Sequence, residues 1–390
     1  MGDAVSVPAW ARWNPDALAT PWTIGIEEEV MLLEPDTWMP ASRSEEVLAA
    51  LDPAIARHTA AETHGSAVEL ATEPHATVGD AVAQLARLRG GLAEGLDVLG
   101  LGAAVSGTHP LATWEDTEVS PGARYQFLYA SMRELARREP TFALHVHVGV
   151  PDADAAVRAL AGVREQLPVL LALSANSPFW QGRDSGLASA RIPVFQCFPR
   201  TGPPRHFSSY AEYVEAVDVL LRCDAIPEPT FLWWDARLQP ALGTIEVRIM
   251  DAQTSIRDTA ALAALVQCIV RREATRPPGG DVAPTPAEIL DENRFLAARD
   301  GMRAALIDRV AGCCVPVAGL LAPLLQTCAE HANELDCAEE LAGIGALATS
   351  PGEARQRAAA ALPDGLHGVL RALNDDFVES LAEPAVPLGA

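Results

Sequence analysis

The chain has 390 residues, and 49% of them are apolar, enough for one large globular domain or two ordinary ones with a sizeable core. Its formal net charge of −23 repels phosphate backbones and anionic lipid surfaces, so we expect no nucleic-acid or membrane partner. The 29 basic residues are all Arg, which excludes mechanisms that need Lys, such as a Walker A phosphate loop or a Schiff base.

The patterning predicts one catalytic domain, 1–390, with three parts. Residues 1–20 form an irregular arm, residues 20–275 a core that carries the sheet, and residues 281–390 a helical part packed on that core. Residues 174–208 are rich in Pro, Gly and Arg and are predicted to be a functional loop. Strands are predicted over 23–33, 67–74, 141–150, 231–238 and 244–250, and helices over 42–51, 78–98, 154–173 and 256–272.

The first strand contains three consecutive acids in an apolar run. Side chains alternate between the two faces of a strand, so Glu27 and Glu29 share one face, while Ile26 and Val30 point to the other. Glu28 is predicted to face away from the other two acids, at a sheet edge or paired with an Arg. We expect Glu28→Gln to leave turnover within several-fold and to raise stability by relieving like-charge repulsion.

Three later strands follow the same rule, with polar residues on one face and aliphatic residues on the other. The polar pairs are Glu69 with Glu73, His145 with His147, and Glu246 with Arg248. In one sheet, these polar faces can converge on a common site. Carboxylates with one or two imidazoles suit Mg²⁺ or Mn²⁺ and leave positions open for substrate phosphate.

Each of these short motifs has a simpler interpretation. A Glu-x-Glu or His-x-His pair on a strand is more often a solvated surface, and the coincidence of four such strands favours a site. A His-x-His motif also occurs at zinc sites, although no Cys stands near this one. Arg248 beside Glu246, and Arg237 beside Asp235, are either plain ion pairs or phosphate clamps.

The seven Cys residues form no C-x-x-C pair, which predicts reduced thiols in a cytoplasmic protein. The N-terminus also lacks the basic and apolar regions of a secretory signal. Thr108 and His109 precede Pro110 and are either a simple turn or part of a site.

The ordered motifs resemble the YbdK-type carboxylate-amine ligases, the glutamate–cysteine ligase 2 family. Each motif is weak alone, but the ordered set is specific and covers roughly residues 20–300, with a looser match in the last ninety residues. The matching stretches are G-I-E-E-E, V-E-L-A-T, G-T-H-P, A-R-Y-Q, H-V-H-V-G, A-L-S-A-N-S-P-F-W-Q-G-R-D, A-S-A-R, F-P-R-T-G-P-P, W-W-D-A-R, G-T-I-E-V-R-I-M-D and N-R-F.

The resemblance implies an α+β fold with a glutamine synthetase-like catalytic domain. In such a domain a curved, mainly antiparallel sheet holds two or three divalent metals on its concave face, with helices on the other side. The implied cofactors are ATP and Mg²⁺ or Mn²⁺. The implied reaction phosphorylates a carboxylate to an acyl phosphate, which an amine then converts to an amide; the family's named substrates are glutamate and cysteine, and its activity is weak.

The resemblance also implies roles for individual residues. Five are implied as metal ligands: Glu27, Glu29, Glu69, His145 and Glu246. His147 is implied to meet ATP phosphate, and Arg248 to stabilise the transferring phosphoryl group. Arg237 is implied in catalysis and nucleotide binding, and the implied substrate-binding residues are Arg191, Thr108 and His109.

Several alternatives remain open on the sequence alone. One rival is a phosphotransferase that phosphorylates a guanidino or amine group, and another is a metal-dependent hydrolase. A third is a non-catalytic binder of small molecules. The expected partners are amino-acid-like carboxylates and amines, and association into a homo-oligomer is left open.

Overall fold

A seven-stranded sheet, antiparallel throughout, is the central element of the computed structural model, which describes residues 7–137, 140–277 and 283–379. Its strands run in the order β10-β11-β5-β1-β3-β2, and β4 pairs with the far end of β1. The strands are β1 (Ile24–Leu33), β2 (Thr59–Ala61), β3 (Ala67–Ala71), β4 (Gly102–Ala104), β5 (Ala143–Gly149), β10 (Ala236–Gln239) and β11 (Thr244–Asp251). Four two-residue strands form two small ladders: β6 (Phe179–Trp180) with β7 (Arg183–Asp184), and β8 (Thr201–Gly202) with β9 (Trp233–Trp234).

Helices cover the apolar face of this sheet. The helices are α1 (Ser44–Ala50), α2 (Pro53–Ala56), α3 (Val78–Leu99), α4 (Ala123–Met132), α5 (Ala153–Ser174), α6 (Arg191–Phe195), α7 (Tyr210–Arg222), α8 (Ile256–Thr275), α9 (Ala287–Asp300), α10 (Val317–Glu334), α11 (Ala338–Ala342), α12 (Ile344–Thr349), α13 (Gly352–Ala360) and α14 (Gly365–Glu379). Helices α3, α5 and α8 pack on the sheet, while α9, α10, α11 and α12 pack on α5 or α8. Helix α8 is therefore buried over most of its length, which fits its mostly apolar run over 260–270.

The predicted helices and strands of the core are present with shifts at their ends. The predicted strand over 67–74 ends at Ala71, so the expectation that Glu73 shares a face with Glu69 is wrong, and Glu73 is exposed. The predicted strand over 231–238 is divided: Phe231 ends a 3₁₀ turn, Trp233–Trp234 pair with β8 outside the main sheet, and β10 of the main sheet begins at Ala236. None of the described helices combines the length and apolar composition needed to cross a membrane.

The C-terminal part, predicted to be helical, is not helical throughout. It contains a hairpin of two four-residue strands, β12 (Ala305–Asp308) and β13 (Cys313–Pro316). The Asp308 side chain accepts the backbone N–H groups of Val310 and Ala311, and Gly312 supplies a φ of +66°. Short strands of this length carry too little periodicity to be predicted, and the turn chemistry was the usable signal.

Candidate active site

Polar side chains form a row across five strands of the sheet, on the face opposite the helices. The antiparallel register sets them directly opposite one another, in pairs with side chains on the same face. The pairs are Glu27 with His145, Glu29 with Glu69, Glu246 with His147 and Arg237 with Glu246. The prediction that these residues converge on one face is confirmed.

A cavity of about 540 Å³ lies over this row. All five residues implied as metal ligands line it, together with His147, Arg237, Arg248 and Arg191. The cavity continues past the row to β2 on one side and past β10 on the other. It is therefore long enough to place two ligands on either side of the carboxylates.

Glu27 lies between two imidazoles of β5. Its Oε2 is 3.2 Å from His145 Nδ1, and its Oε1 is 3.3 Å from His147 Nε2. Burial tends to raise the pKa of Glu27, but the charge of His147 and the contacts with both imidazoles outweigh it and lower the pKa. Burial also lowers the pKa of His147, yet Glu27 and Glu246 reverse this and raise it, so Glu27 and His147 form an ion pair.

Glu29 and Glu69 stand opposite each other on β1 and β3. Burial raises the pKa of Glu29 to about 8, and the nearby carboxylate of Glu62 adds to the effect. Burial likewise raises the pKa of Glu69 well above its usual range, with Glu27 and Glu62 as further causes. Like charges directly opposite on a sheet are destabilising, so this cluster favours either protons or a bound cation.

Glu246 accepts from three side chains, two on the neighbouring strand β10 and one on its own strand β11. Arg237 donates to both of its oxygens, at 2.7 and 3.1 Å; Gln239 donates at 2.6 Å, and Arg248 forms a further short contact. Burial alone would raise the pKa of Glu246, but Arg248 and Arg237 lower it well below the usual range. This end of the row therefore carries positive charge, in contrast to the Glu29 end.

Two sets of donor atoms in this row are close enough to hold a metal ion. They are Glu27, His145 and Glu246, and Glu29, Glu69 and His145, with the ligand atoms of each set within 4.8 Å of one another. His145 Nε2 is buried and has no hydrogen-bond partner among the described residues, and it lies 3.9 Å from Glu29 Oε1. Burial lowers the pKa of His145 to about 4, so its imidazole is neutral, as a metal ligand must be.

The unpartnered imidazole nitrogen, facing opposed carboxylates, therefore fits a divalent cation. The second set fits better, because Glu246 in the first set is already occupied by Arg237, Gln239 and Arg248. Carboxylates with a single imidazole form a donor set typical of Mg²⁺ or Mn²⁺.

A β-bulge in β11 sets the direction of Arg248. Arg248 and Ile249 together stand opposite the single residue His145, where the register between β11 and β5 shifts. Arg191 donates to the carbonyl oxygens of both bulge residues, each at 3.1 Å. Asp251 lies 3.9 Å from the Arg191 guanidinium. Arg191 thus lines the cavity, as expected of a substrate-binding residue, but two of its nitrogens support the bulge.

Thr108 and His109, implied as substrate-binding residues, do not line the cavity. Thr108 Oγ1 donates to the Phe179 carbonyl at 2.8 Å. His109 Nε2 is 2.8 Å from the Trp38 carbonyl, and its Nδ1 accepts the backbone N–H of Ala112 at 2.9 Å. Both side chains hold loops together, so we correct their assignment from substrate binding to structure.

The sequence analysis did not assign several polar residues of the cavity to the site, among them Glu62, Arg124, Tyr125 and Gln239. Glu62 directly follows the three-residue strand β2, which is too short to show a periodicity. Arg124 and Tyr125 lie in the A-R-Y-Q motif, so the resemblance carried a usable signal there.

Glu28 faces the helix layer, as its strand parity predicts. Its two oxygens accept from Arg89 of α3 at 2.7 and 2.6 Å, and both side chains are fully buried. Arg89 also donates to the carbonyls of Gln253 and Thr254. The expectation that Glu28→Gln relieves repulsion and raises stability is at odds with this pair, because the change would leave a buried guanidinium without its counter-charge.

Solved structures share the fold at low sequence identity. The glutamate–cysteine ligase of Francisella tularensis in complex with AMP superposes with a TM-score of 0.65 at 12% identity, covering 95% of each chain. A bifunctional glutathione synthetase of Pasteurella multocida gives a TM-score of 0.61 at 13% identity, over 94% of this chain and 54% of that one. At these identities the likeness shows the fold alone.

Proteins found by sequence comparison are more similar in sequence to this chain than these solved structures are. A Rubrobacter xylanophilus protein that carries the name glutamate–cysteine ligase 2-1 is 39% identical over 325 residues, 83% of this chain and 86% of the relative. A second protein of that organism, named as 2-3, is 37% identical over 352 residues, 90% of this chain and 95% of the relative. The profile of "Glutamate-cysteine ligase family 2(GCS2)" matches residues 23–375 and so extends into the last ninety residues, where the sequence motifs matched loosely. The chain therefore belongs to the glutamate–cysteine ligase family 2.

Proposed function

We propose that the protein is an ATP-dependent carboxylate–amine ligase of the glutamate–cysteine ligase type, built on a glutamine synthetase-like catalytic domain. The observation that carries the proposal is the row of side chains under one cavity. Its β10–β11 end carries Arg237 and Arg248, and its β1–β3 end carries Glu29 and Glu69. A nucleotide polyphosphate needs both cationic side chains and metal-binding carboxylates.

The residues that would hold metal are Glu29, Glu69 and His145, with Glu27 and Glu246 as a second set around the same imidazole. A bound Mg²⁺ or Mn²⁺ would neutralise phosphate charge and help to orient the transferring group. His147, whose pKa is raised overall by Glu27 and Glu246 against the opposing effect of burial, is positioned to donate to a phosphate oxygen.

Arg248 is the residue that we assign to the transferring phosphoryl group. Its side chain lies between Glu246 and His145, with Nη1 3.4 Å from His145 Nδ1, so it points into the row. A fixed guanidinium there would stabilise charge that develops on the equatorial phosphoryl oxygens. Arg237 is anchored by Glu246 and two backbone carbonyls, which suits a residue that orients the nucleotide.

The proposed reaction has two steps. A carboxylate oxygen of the first substrate attacks the γ-phosphorus of ATP; a P–O bond forms, the bond to the β-phosphate oxygen breaks, and ADP leaves. The amine nitrogen of the second substrate then attacks the acyl carbon, phosphate leaves, and the nitrogen loses a proton. The names of the relatives favour glutamate as the carboxylate and cysteine as the amine.

A screen of amino-acid pairs for ADP and phosphate release, with the product identified by mass, tests this proposal. ADP release that requires both a carboxylate and an amine is the expected result. Replacing the amine with hydroxylamine should trap the acyl phosphate as a hydroxamate. A phosphorylated amine or guanidino product would instead identify a kinase, and hydrolysis without ATP would identify a hydrolase.

A further inference from the structure

The backbone of Arg248 is held from both sides. Arg191 donates to its carbonyl oxygen at 3.1 Å, and its own N–H donates to the Asp235 carbonyl at 2.8 Å. Asp235 immediately precedes β10, so this second bond extends the pairing of β10 with β11 by one residue. The position of Asp235 therefore helps to determine the direction in which the Arg248 side chain leaves the sheet.

Asp235 lies where the chain passes from a small ladder into the main sheet. Its N–H donates to the Gly202 carbonyl at 2.9 Å, next to the parallel pairing of β8 with β9. Its carbonyl oxygen accepts from β11, which pairs with β10 in antiparallel fashion. One residue thus joins two ladders of different direction. A fixed side chain at this point would hold both ladders in a single arrangement.

Arg294 of α9 anchors the Asp235 side chain. Its Nη2 donates to Asp235 Oδ1 at 3.1 Å, and its Nε lies 2.7 Å from Oδ2. Both side chains are buried, and burial strengthens the attraction between the charges. The planar guanidinium also gives the pair a defined direction, which a flexible ammonium group would not. The Asp235 carboxylate is therefore held in one orientation.

The same guanidinium reaches the segment that carries Arg191. Arg294 Nη1 donates to Gln196 Oε1 at 2.8 Å. Gln196 is the residue at which α6 ends, and Arg191 is the residue at which α6 begins. Arg294, the central residue of the N-R-F motif, thus links the two segments that hold the Arg248 backbone.

Neither residue of this pair can act on a substrate directly. Neither lines the cavity, and Arg294 is 2% exposed. Any influence on the reaction must therefore pass through the contacts that hold Arg248. We propose that Asp235 and Arg294 are positioning residues, which keep Arg248 in the orientation that serves the transferring phosphoryl group. The inference rests on the proposed ligase reaction and adds to it two residues outside the cavity.

The test distinguishes positioning from a role in folding alone. Hydroxamate formation from ATP, Mg²⁺, hydroxylamine and glutamate, or the best carboxylate from the screen, reports the phosphoryl transfer, and thermal unfolding reports stability. Arg294→Met leaves the Asp235 carboxylate buried without its counter-charge and should lower the melting temperature. Asp235→Asn combined with Arg294→Met, the neutral pair, removes both charges and should restore most of that loss.

We expect the neutral pair to keep a low turnover although its stability returns. Its kcat should lie about tenfold or more below that of wild type, because a small misplacement of a group that acts in the transition state is costly. The KM values for ATP and carboxylate should stay within about twofold, since ground-state binding does not depend on this orientation. A pair that served folding alone would regain kcat together with the melting temperature.

A double-mutant cycle with Arg248 identifies the route of the effect. Arg248→Met removes the guanidinium that is to be positioned, and its low hydroxamate formation is measured at high enzyme concentration. Adding the neutral pair to Arg248→Met should lower kcat by no more than about twofold further, because no group is left to orient. Independent action would instead multiply the two effects.

Two controls accompany these variants. Arg299→Met, at an exposed position of α9, should match wild type in kcat and melting temperature. Leu347→Ala removes a fully buried side chain of α12 that does not line the cavity. It should lower the melting temperature with an unchanged kcat, which shows that lost stability alone does not slow the reaction.

The outcomes separate this inference from the proposed function. Wild-type kcat in the neutral pair, an unchanged kcat with a raised carboxylate KM, or multiplied effects in the cycle would overturn the positioning role and leave the ligase in place. No hydroxamate from wild type with any carboxylate of the screen would overturn the ligase and the positioning role together.

Discussion

At the scale of single residues, the three adjacent acids show that the alternation of side chains along a strand separates residues of the site from a residue of the core. Glu27 and Glu29 point into the cavity, whereas Glu28 points into the helix layer and forms a buried pair with Arg89. The same residue type thus has two roles within three positions, and the alternation of the strand decides which. The sequence predicted the faces. It could not identify Arg89 as the partner, because that residue is 61 positions away on α3.

Replacing each acid by glutamine separates the two roles. Glu27→Gln and Glu29→Gln should each lower turnover by orders of magnitude and raise the metal concentration required, because each removes a charged ligand. Glu28→Gln should instead lower the free energy of unfolding by about 3–5 kcal/mol, since it leaves a buried guanidinium unpaired. Turnover assays with a metal titration, and urea unfolding of each variant, measure both effects.

Arg89→Met is the matched control, because it breaks the same pair from the other side and should also destabilise the fold without raising the metal requirement. An inactive but fully stable Glu28→Gln variant, beside active Glu27 and Glu29 variants, would show that the assigned faces are reversed.

Proton binding by the metal-free site gives a second prediction. The pKa of Glu29 is raised to about 8, chiefly by burial, while the same carboxyl in the unfolded chain titrates near 4.5. The folded state therefore holds protons that the unfolded state has lost, and its stability falls as pH rises towards 8. The raised pKa values of Glu69 and His147 act in the same direction.

Melting temperatures in EDTA should therefore fall between pH 6.5 and 8. The lowered pKa of His145 changes the slope only below about pH 6.5 and does not obscure this window. Saturating Mg²⁺ should raise the melting temperature most at pH 8, because bound metal needs the ionised carboxylates. Glu29→Gln should flatten the slope in EDTA, and an equal slope in this variant and wild type would contradict the assignment.

At the scale of elements, the sequence predicted the strands that carry the site. It missed the structural features that leave no periodic pattern of apolar and polar residues. The alternation in β1, β3, β5 and β11 located both imidazoles and four carboxylates of the row. The bulge in β11 was not predictable, because it depends on how β11 meets β5 in space. Glu62 was not predicted as a site residue for a related reason. The strand β2 that precedes it is three residues long, and its position is set by pairing with β3.

The bulge predicts a positioning role for Arg191. Arg191→Lys keeps the charge, but one ammonium cannot bridge the carbonyls of Arg248 and Ile249 as the planar guanidinium does. We expect kcat to fall by up to about a hundredfold with little change in the KM for ATP, because the Arg248 side chain would no longer be held in its orientation. Arg205→Lys, at an exposed ion pair, is the control and should leave kcat unchanged. A rise in the carboxylate KM with an unchanged kcat would show that Arg191 binds substrate instead.

At the scale of the whole molecule, the C-terminal helices share one core with the sheet. Phe377 of α14 lies against Arg89, with the guanidinium carbon 5.2 Å from the ring centroid, and Asn374 accepts the backbone N–H of Ala103 on β4. Helix α14 thus contacts both the buried pair behind the site and β4, and its Asn374 lies 271 positions along the chain from Ala103. This packing supports the prediction that the chain is a single catalytic domain.

Phe377→Ala tests that prediction. It should lower the free energy of unfolding by about 3–5 kcal/mol through the cavity it leaves, with turnover little changed at 25 °C. Fluorescence and circular dichroism should report one coincident unfolding transition. Val378→Ala, at an exposed neighbouring position, is the control. Two separate transitions would show that the C-terminal helices form an independent unit.

The most direct test of the ligase assignment follows an oxygen atom from the carboxylate substrate to phosphate. Glutamate, or the best carboxylate from the screen, is labelled with ¹⁸O in its reacting carboxylate. It is incubated with ATP, Mg²⁺ and the amine that the screen identifies. If an acyl phosphate forms, one ¹⁸O per turnover moves into inorganic phosphate, and ³¹P NMR detects the isotope shift. Unlabelled phosphate formed together with amide, or phosphate retained on the amine, would contradict the proposed mechanism.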